Sequence, residues 1–225
     1  MSIYQQGKWL VRIEDVDPPR IVPGSSDAIL KALETLGMEW DGAVIYQSQR
    51  CALYRDALAT LDKQGLIYSC TCSRKEILDS SMDGEYGPIY SGKCRNKSFK
   101  RKQGAQRICT NDNPIMFKDG LEGTVCQKLE QDVGDFVVRR ADGVYAYQLA
   151  VVVDDFEQDI THIVRGFDLL SSTPRQIYLQ KCLGYSSTEY IHLPLVTNHS
   201  GEKLSKQTKA APIDLSNALP GLYSA

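Results

Sequence analysis

The chain has 225 residues, of which 42% are hydrophobic, and this is enough for one sizeable core or a core with a small inserted domain. No run of 18 apolar residues occurs, which excludes a membrane-spanning helix, and the polar residues 1–8 are unlike a signal peptide. We therefore expect a cytoplasmic protein, in which seven cysteines indicate metal binding or plain burial before disulfides.

The net charge of −2 does not by itself indicate nucleic-acid binding, but the charges are unevenly distributed. Seven of the 26 basic residues lie within residues 93–107, where no acidic residue occurs. A basic segment on an acidic body is typical of a polyanion-binding surface, although a solvated lysine-rich loop gives the same pattern. Charge alone leaves these two interpretations equally open.

The first part of the chain predicts a strand followed by two helices. Residues 9–14 are β-rich and partly alternating, and a rigid proline-containing loop follows them. Ser25 or Ser26 can cap a helix that Gly37 ends, because the apolar residues between them have helical spacing. A second helix is predicted over residues 48–65. Its predicted inward residues are Leu53, Ala57, Leu58 and Leu61.

A short strand predicted over residues 66–70 leads into a segment of different composition. Between residues 70 and 110 glycine, serine, lysine and cysteine dominate and the periodicity fades, which indicates a small inserted module. We therefore divide the chain into a first part of the core over residues 1–69, the module over residues 70–110 and a second part of the core over residues 111–225.

The second part of the core opens with a predicted hairpin. Its strands, residues 136–140 and 144–147, flank Asp142-Gly143, which is a strong turn signal. Residues 149–153 are apolar throughout, and periodicity alone does not distinguish a buried strand from a buried helix there.

Further strands and a helix are predicted toward the end of the chain. Residues 160–164 and 191–196 are strand candidates, and Thr173 can cap a helix with Pro174 at its first position. Strands that alternate with helices predict a mostly parallel sheet, so the expected fold class is α/β.

Three cysteines and a tyrosine form the first candidate site, at positions 70, 72, 94 and 90. Cys70 and Cys72, one residue apart, can face one metal ion, and tetrahedral zinc needs four ligands. Cys94 supplies a third sulfur, and the histidines lie far away in the sequence. The fourth ligand is then the phenolate of Tyr90, a distant cysteine such as Cys109, or water. Buried free cysteines are the alternative interpretation.

Residues 201–207, which read Gly-Glu-Lys-Leu-Ser-Lys-Gln, form the second candidate site. Lys203 and Lys206 on a glycine- and serine-containing loop after a strand suit a mobile phosphate clamp, because lysine offers a compact point charge. Without further context a solvated surface loop is the simpler interpretation.

Residues 12–17 form the third candidate site, in which the acidic residues Glu14, Asp15 and Asp17 leave the end of the first predicted strand, where open α/β sheets bind ligands. A carboxylate at this position can hold an ammonium group, while Arg165, at the end of another predicted strand, can pair with a carboxylate in a bidentate way. Together they predict a pocket for an amino acid with an acidic side chain, and an acidic loop is the alternative.

Several short motifs, taken together, resemble those of glutamyl-tRNA synthetases, and the resemblance covers nearly the whole chain. The motifs are residues 12–20, 40–42, 46–50, 147–155, 165–166, 173–176 and 203–206. The chain is more closely similar to the short paralogous family, the glutamyl-Q tRNA(Asp) synthetases. After Gly166 it continues Phe-Asp-Leu-Leu, where the full synthetases usually have Glu-Asp-His, and its lysine motif ends in Gln207 rather than arginine.

The resemblance implies a Rossmann-like class I synthetase core with an inserted zinc-binding module. Such an enzyme activates glutamate with ATP and Mg²⁺ and transfers the glutamyl group to queuosine in the anticodon of tRNA(Asp); we expect it to be a monomer. By motif match, Glu14, Tyr147 and Arg165 hold glutamate. Lys206, which also binds ATP, and the neighbouring Lys203 neutralise the pyrophosphate leaving group. The implied zinc ligands are Cys70, Cys72, Tyr90 and Cys94.

The same family begins with a strand and a histidine-containing ATP motif that have no counterpart before residue 14. We therefore expect the N-terminal strand to be missing and glutamate activation by this chain to be weak. Two other interpretations stay open. A truncated glutamyl-tRNA synthetase that charges tRNA(Glu) would need tRNA to activate glutamate, unlike the short paralogue, and a zinc- and RNA-binding remnant would not be catalytic.

Overall fold

The computed structural model describes residues 7–17, 19, 21–84, 87–97, 104–198, 201, 203–204 and 215–217. The chain divides into two compact units, one formed by residues 1–50 and 196–225 and the other by residues 51–195. Within the described residues, no helix is both long enough and apolar enough to cross a membrane.

The first unit contains a parallel pair of short strands with a helix between them in sequence. Strand β1 (Arg12–Ile13) pairs with β2 (Ile45–Tyr46), and helix α1 (Ser25–Thr35) connects them along the chain. The strand predicted over residues 9–14 is thus confirmed over only two of its residues.

Helix α1 is bounded by glycines and has no serine cap. Gly24 occupies the N-cap position with a φ of 77°, a left-handed conformation that glycine adopts without steric cost. The prediction that Ser25 or Ser26 caps this helix is wrong, because both residues lie inside its first turn. The predicted end is confirmed, since Gly37 follows the last turn with a φ of 71°.

The second unit holds most of the helices and strands of the described residues. In chain order they are α2 (Cys51–Lys63), β3 (Ile67–Cys70), α3 (Arg74–Ser80), β4 (Met82–Gly84), β5 (Gly87–Ile89), β6 (Ala105–Ile108), β7 (Ile115–Asp119), β8 (Gly123–Gln127), α4 (Leu129–Asp132), β9 (Phe136–Arg139), α5 (Tyr147–Glu157), β10 (His162–Gly166), α6 (Thr173–Leu183) and β11 (Glu189–Leu193). Short 3₁₀ helices occur at Gln47–Arg50, Phe167–Ser172 and Leu215–Asn217.

Two main sheets give the second unit a mixed α/β architecture. One has the order β3-β6-β9 and is antiparallel, and the other has the order β10-β11-β7-β8, in which only β8 runs antiparallel to its neighbour. A mostly parallel sheet is therefore confirmed for β10-β11-β7 and wrong for β3-β6-β9. The segment after β3 returns the chain alongside that strand, and antiparallel pairing needs no crossover helix.

Helices α2, α5 and α6 pack against one another in the core of the second unit. Residues 149–153, for which periodicity left strand and helix open, lie in α5 and are buried. Three of the four inward residues predicted for the second helix are buried, whereas Leu53 is only half-buried. Tyr54 takes the innermost position, where its hydroxyl donates to the carboxylate of Asp154 at 2.7 Å.

The elements of the second half follow the sequence prediction with shifted ends. The hairpin around Asp142-Gly143 is confirmed by an antiparallel bridge between Arg139 and Tyr145, and its second arm is short because Tyr147 already begins α5. The two later strands exist as β10 and β11.

Helix α6 differs from its prediction at the cap. Thr173 is the first helical residue and Ser172 is the N-cap, so Pro174, predicted at the first position, is the second residue of the helix. The hydroxyl of Thr173 is engaged by residues outside the helix, as described below, so it does not cap the helix.

Candidate functional site

The four predicted zinc ligands come together beside the end of strand β3. Cys70 is the last residue of β3 and Cys72 follows it, while Tyr90 and Cys94 come after strand β5. Gly134, with a φ of 72°, lets two backbone segments meet here, since a side chain at this position would collide with the backbone of Tyr90. The fold thus brings together residues from two separate stretches of the module.

The distances within this cysteine cluster suit a tetrahedral metal ion. The Sγ atoms of Cys70, Cys72 and Cys94 all lie within 4.8 Å of one another, and those of Cys72 and Cys94 are 3.5 Å apart. The Tyr90 hydroxyl lies 3.2 Å from Cys70 Sγ and 3.8 Å from Cys72 Sγ. With Zn–S bonds of about 2.3 Å, a tetrahedron separates its sulfurs by about 3.8 Å. Cys109 is not among the clustered thiols of the described residues.

Arg107 places a buried positive charge beside the cysteine cluster. The guanidinium of Arg107 lies 3.9 Å above the ring of Tyr90. Burial opposes ionisation of Cys70, but hydrogen bonds from Tyr90 and Arg107 outweigh it and lower the pKa of this thiol to about 7. Burial and the hydrogen bond with Cys94 raise the pKa of Cys72 to about 11, and burial likewise raises the pKa of Tyr90.

An ion pair between Arg95, which follows Cys94, and Asp135, which precedes β9, joins the cysteine cluster to the antiparallel sheet. Arg95 donates from Nε to Asp135 Oδ2 at 2.9 Å and from Nη1 to Glu130 Oε1 at 2.9 Å. The carboxylate of Asp135 is buried and also accepts bonds from the backbone N–H of Thr110 at 2.7 Å and from the hydroxyl of Tyr68 at 2.6 Å. Burial of this carboxyl opposes its ionisation, yet these bonds hold its pKa below the ordinary value.

Arg165, predicted to bind a carboxylate, is held from one side by a histidine and a threonine. Its Nε donates to His192 Nε2 at 3.1 Å and its Nη2 donates to Thr173 Oγ1 at 2.6 Å. Its guanidinium also lies 5.5 Å from the ring centroid of Tyr190. Within the described part of the chain no carboxylate pairs with Arg165, so a cation is presented without a protein counter-ion.

Sequence reasoning missed the residues behind Arg165. His192 and Asp119 are both buried, and the Nδ1 atom of His192 lies 2.6 Å from Asp119 Oδ2. The other carboxylate oxygen of Asp119 accepts from the backbone N–H groups of Leu121 at 3.0 Å and Glu122 at 3.1 Å. The only available signal was a histidine within an apolar strand, and spacing could not link it to an aspartate in a distant turn.

Tyr147 is the other predicted glutamate ligand within residues 51–195. It begins helix α5 and is half-buried. Its neighbour Gln148 donates to Ser172 Oγ at 3.0 Å and accepts from Gln176 Nε2 at 3.0 Å. Both partners lie at the start of α6, next to the threonine that contacts Arg165. Hydrogen bonds therefore connect the beginning of α5, where Tyr147 lies, to the beginning of α6, which Arg165 contacts from β10.

The predicted acidic site of the first unit follows strand β1. Glu14 is exposed, and its carboxylate lies 3.6 Å from a guanidinium nitrogen of Arg12. The next residue, Asp15, accepts bonds from the backbone N–H of Ser48 at 2.8 Å and from its hydroxyl at 2.7 Å. Two of the motifs that carry the family resemblance are thus joined by side-chain hydrogen bonds.

Lys203 lies at one end of a loop whose two ends are hydrogen-bonded to each other. The loop is closed by a bridge between Thr197 and Lys203 and by a hydrogen bond from Leu204 N to Val196 O at 2.9 Å. Lys203 is exposed, as a phosphate-binding lysine must be. Lys206 lies outside the described residues.

The basic segment over residues 93–107 is not a uniform surface patch. Arg95 pairs with Asp135 and Arg107 lies over the ring of Tyr90. Lys93 and Lys97 are exposed. The segment's other basic residues, Lys100, Arg101 and Lys102, lie outside the described part of the chain. A polyanion-binding surface here stays a prediction.

Comparison with known proteins gives a consistent family assignment. The model of the family described as tRNA synthetases class I (E and Q), catalytic domain, matches residues 2–217. Proteins named glutamyl-Q tRNA(Asp) synthetase from Neisseria meningitidis, Dechloromonas aromatica and Pseudomonas putida are 55%, 54% and 48% identical to this chain. These alignments cover 93%, 98% and 97% of this chain and 72%, 74% and 72% of those proteins.

Solved structures agree with the fold. A glutamate tRNA ligase from Elizabethkingia meningosepticum in complex with its amino acid, and the glutamate-tRNA synthetase of Elizabethkingia anophelis, each match with a TM-score of 0.76 and 28% identity. Each match covers 90% of this chain and 46% of the solved chain, so this chain spans about half the length of those two proteins.

Proposed function

This chain belongs to the family of class I tRNA synthetase catalytic domains for glutamate and glutamine, and from that premise we propose that it activates glutamate with ATP and transfers the glutamyl group to queuosine in the anticodon of tRNA(Asp). The observation that carries this proposal is the identity of 48% to 55% with proteins named for that activity, over almost the whole chain. We further propose that it acts as a monomer in the cytoplasm, where ATP and tRNA are available.

The chemistry needs positioning and charge neutralisation more than a protein nucleophile. The α-carboxylate of glutamate attacks the α-phosphate of ATP, and pyrophosphate leaves as negative charge develops on it. Proximity and preorganised electrostatics supply most of the acceleration in such a reaction. Lys203 and Lys206 are assigned to the leaving group by the motif match, and Mg²⁺ accompanies ATP throughout this class.

The surroundings of Arg165 support its role as the ligand of the glutamate side-chain carboxylate. The guanidinium is half-buried and its side-chain contacts are with His192 and Thr173, neither of which is a carboxylate, and this is unfavourable for a cation until a carboxylate arrives. Tyr147 begins a helix whose start is hydrogen-bonded to the start of α6, and α6 also contacts Arg165. The assignment of Glu14 to the ammonium group rests on the motif match alone.

We propose that zinc is bound by Cys70, Cys72, Tyr90 and Cys94. Three sulfurs and one phenolic oxygen at the observed separations fit its tetrahedral geometry. A closed four-ligand site of this kind stabilises the surrounding fold and takes no part in a chemical step.

Transfer of labelled glutamate tests the proposed function. The chain should attach glutamate to tRNA(Asp) that carries queuosine, and not to the same tRNA prepared from cells unable to make queuosine. Attachment to both preparations would contradict the queuosine assignment. Attachment to neither would contradict glutamate activation by this chain, which the motif comparison above expects to be weak.

The alternative is charging of tRNA(Glu), which the likeness to two solved synthetases that act on glutamate keeps in consideration. Glutamate-dependent ATP–pyrophosphate exchange in the absence of tRNA separates the two. The proposed function predicts exchange without tRNA, whereas exchange that appears only with tRNA(Glu) would favour the alternative.

A further inference from the structure

We propose that Thr173 and His192 are positioning residues that fix the guanidinium of Arg165 in one orientation, and that Asp119 fixes His192 in turn. The proposal deepens the proposed function and rests on it, because Arg165 there binds the side-chain carboxylate of glutamate. None of the three positioning residues needs to touch the substrate.

The network consists of four side chains on three parallel strands and one helix start. In the register of β10 and β11, Arg165 lies opposite His192, and in that of β11 and β7, Tyr190 lies opposite Asp119. The start of α6 places Thr173 Oγ1 3.1 Å from His192 Nε2, within the same cluster. Each link is therefore set by strand pairing or by a helix end rather than by a mobile loop.

The hydrogen bonds determine which nitrogen of His192 carries the proton. Arginine only donates, so His192 Nε2, which lies 3.1 Å from Arg165 Nε, must be an acceptor. The proton of the neutral imidazole then lies on Nδ1 and is donated to Asp119 Oδ2 over 2.6 Å. A proton on Nε2 would face a donor of Arg165, so the network excludes both the other tautomer and the imidazolium ion.

The same logic orients the threonine hydroxyl. Thr173 Oγ1 accepts from Arg165 Nη2 at 2.6 Å and lies 3.1 Å from His192 Nε2, whose single lone pair accepts from Arg165 Nε. Asp119 is held by two backbone N–H groups, so the chain of contacts ends in main chain that cannot rotate. The guanidinium is thereby anchored through Nε and Nη2, and within the described part of the chain its Nη1 edge is left for a ligand.

This arrangement accounts for a preference for a carboxylate over a carboxamide. A fixed guanidinium edge offers only donors, and a carboxylate can accept from two of them at once. The amide nitrogen of glutamine would turn a donor toward the same edge. A freely rotating arginine could move aside, whereas the anchored one cannot, so the positioning residues contribute to specificity.

The protonation state is tested directly by nuclear magnetic resonance of the ¹⁵N-labelled chain. Only three histidines have to be distinguished, His162, His192 and His199, and the His192→Gln chain identifies the signal. We expect a neutral imidazole with its proton on Nδ1 at neutral pH. A proton on Nε2 in either form would overturn the proposal without any use of substrate.

Two matched pairs of substitutions test the effect on glutamate. Thr173→Val keeps the shape but removes the hydroxyl, whereas Thr173→Ser keeps the hydroxyl. His192→Gln retains an acceptor near the Nε2 position, whereas His192→Asn retains only a group near Nδ1. We expect Thr173→Val and His192→Asn to weaken glutamate binding and to raise the KM for glutamate by about 10- to 100-fold. Thr173→Ser and His192→Gln should have a KM for glutamate close to that of the unsubstituted chain.

The KM for ATP should change little in all four chains, since the network faces only the glutamate ligand. A purely structural role would lower the apparent kcat of the weakened chains through loss of folded protein and would leave both KM values unchanged. Glutamate binding by Thr173→Val equal to that of Thr173→Ser would overturn the proposal. Absence of glutamate binding by the unsubstituted chain would instead count against the proposed function alone, because the imidazole spectrum decides the anchoring of Arg165 without substrate.

Discussion

The cysteine cluster and the Arg165 network are both assembled within residues 51–195, but they are stabilised in opposite ways. The cluster gathers three thiols and a phenol whose mutual contacts are long sulfur hydrogen bonds of 3.2 to 3.8 Å. The network consists of short bonds between strong donors and acceptors, and it ends in backbone N–H groups.

The difference shows which site depends on a ligand for its structure. Thiols that face one another gain little from their own contacts, so the zinc ion that we propose would order them. The network satisfies its own members and leaves only an edge of Arg165 for a ligand. Removal of the ligand should therefore disorder the first site and leave the second unchanged.

The largest expected effect is loss of the metal. We expect about one zinc per chain, and Cys72→Ser should release it and loosen residues 70–97, since zinc binding supplies about 10–16 kcal/mol in small zinc modules. Metal analysis and hydrogen exchange measure the two effects. Cys126→Ser is the matched control, because this exposed cysteine of β8 lies outside the cluster. Protein purified without chelators that contains no zinc would contradict the site.

The buried ion pair that joins the cluster's segment to the sheet should have the next largest effect. Asp135→Ala leaves Arg95 without its bidentate partner, so we expect the free energy of unfolding to fall by about 3–5 kcal/mol. Asp142→Ala removes an exposed ion pair with Arg140 and should cost about 1 kcal/mol or less. Urea denaturation compares the two chains. Equal losses would show that the buried pair does not stabilise this junction.

Replacement of Arg165 should weaken the use of glutamate and leave the zinc content unchanged. Arg165→Ala should lower glutamate-dependent pyrophosphate exchange by an amount equivalent to about 2–5 kcal/mol, with ATP use and zinc content unchanged. Arg165→Lys should recover little of it, because lysine has no planar fork for a carboxylate. Unchanged glutamate dependence in the alanine chain would remove Arg165 from the glutamate site.

The smallest expected effect is on the free energy of unfolding at acid pH, and it concerns Asp119 of the Arg165 network. Burial opposes ionisation of Asp119, but hydrogen bonds from His192 and from backbone N–H groups lower its pKa from 3.8 to about 2. Because the folded pKa is the lower one, this stabilisation is complete above pH 3.8 and is lost as the pH falls toward 2; it amounts to about 2 kcal/mol. Unfolding measured between pH 5 and pH 2 should show a weaker pH dependence for Asp119→Asn. An identical dependence in both chains would argue against the depressed pKa.

Local sequence patterns predicted the elements well and their ends less well. The apolar spacing after residue 48 identified a helix, although it begins only at Cys51 after a 3₁₀ helix. Both predicted N-caps were wrong. A tertiary contact explains the one at Thr173, and the backbone conformation of a glycine explains the one at Ser25 or Ser26. The hydroxyl of Thr173 is used by Arg165, and Gly24 occupies the cap position that a serine was expected to take.

The sequence by itself determined the family, the set of cysteines and the identity of Arg165 as a candidate ligand, because each of these is encoded in a short motif. Only the tertiary structure decided what holds Arg165. Asp119 and His192 are separated by many residues, and they meet because β7, β11 and β10 pair in parallel in one register. Register sets which side chains share a face of a sheet, and a shift of one residue would turn His192 to the opposite face, away from Arg165.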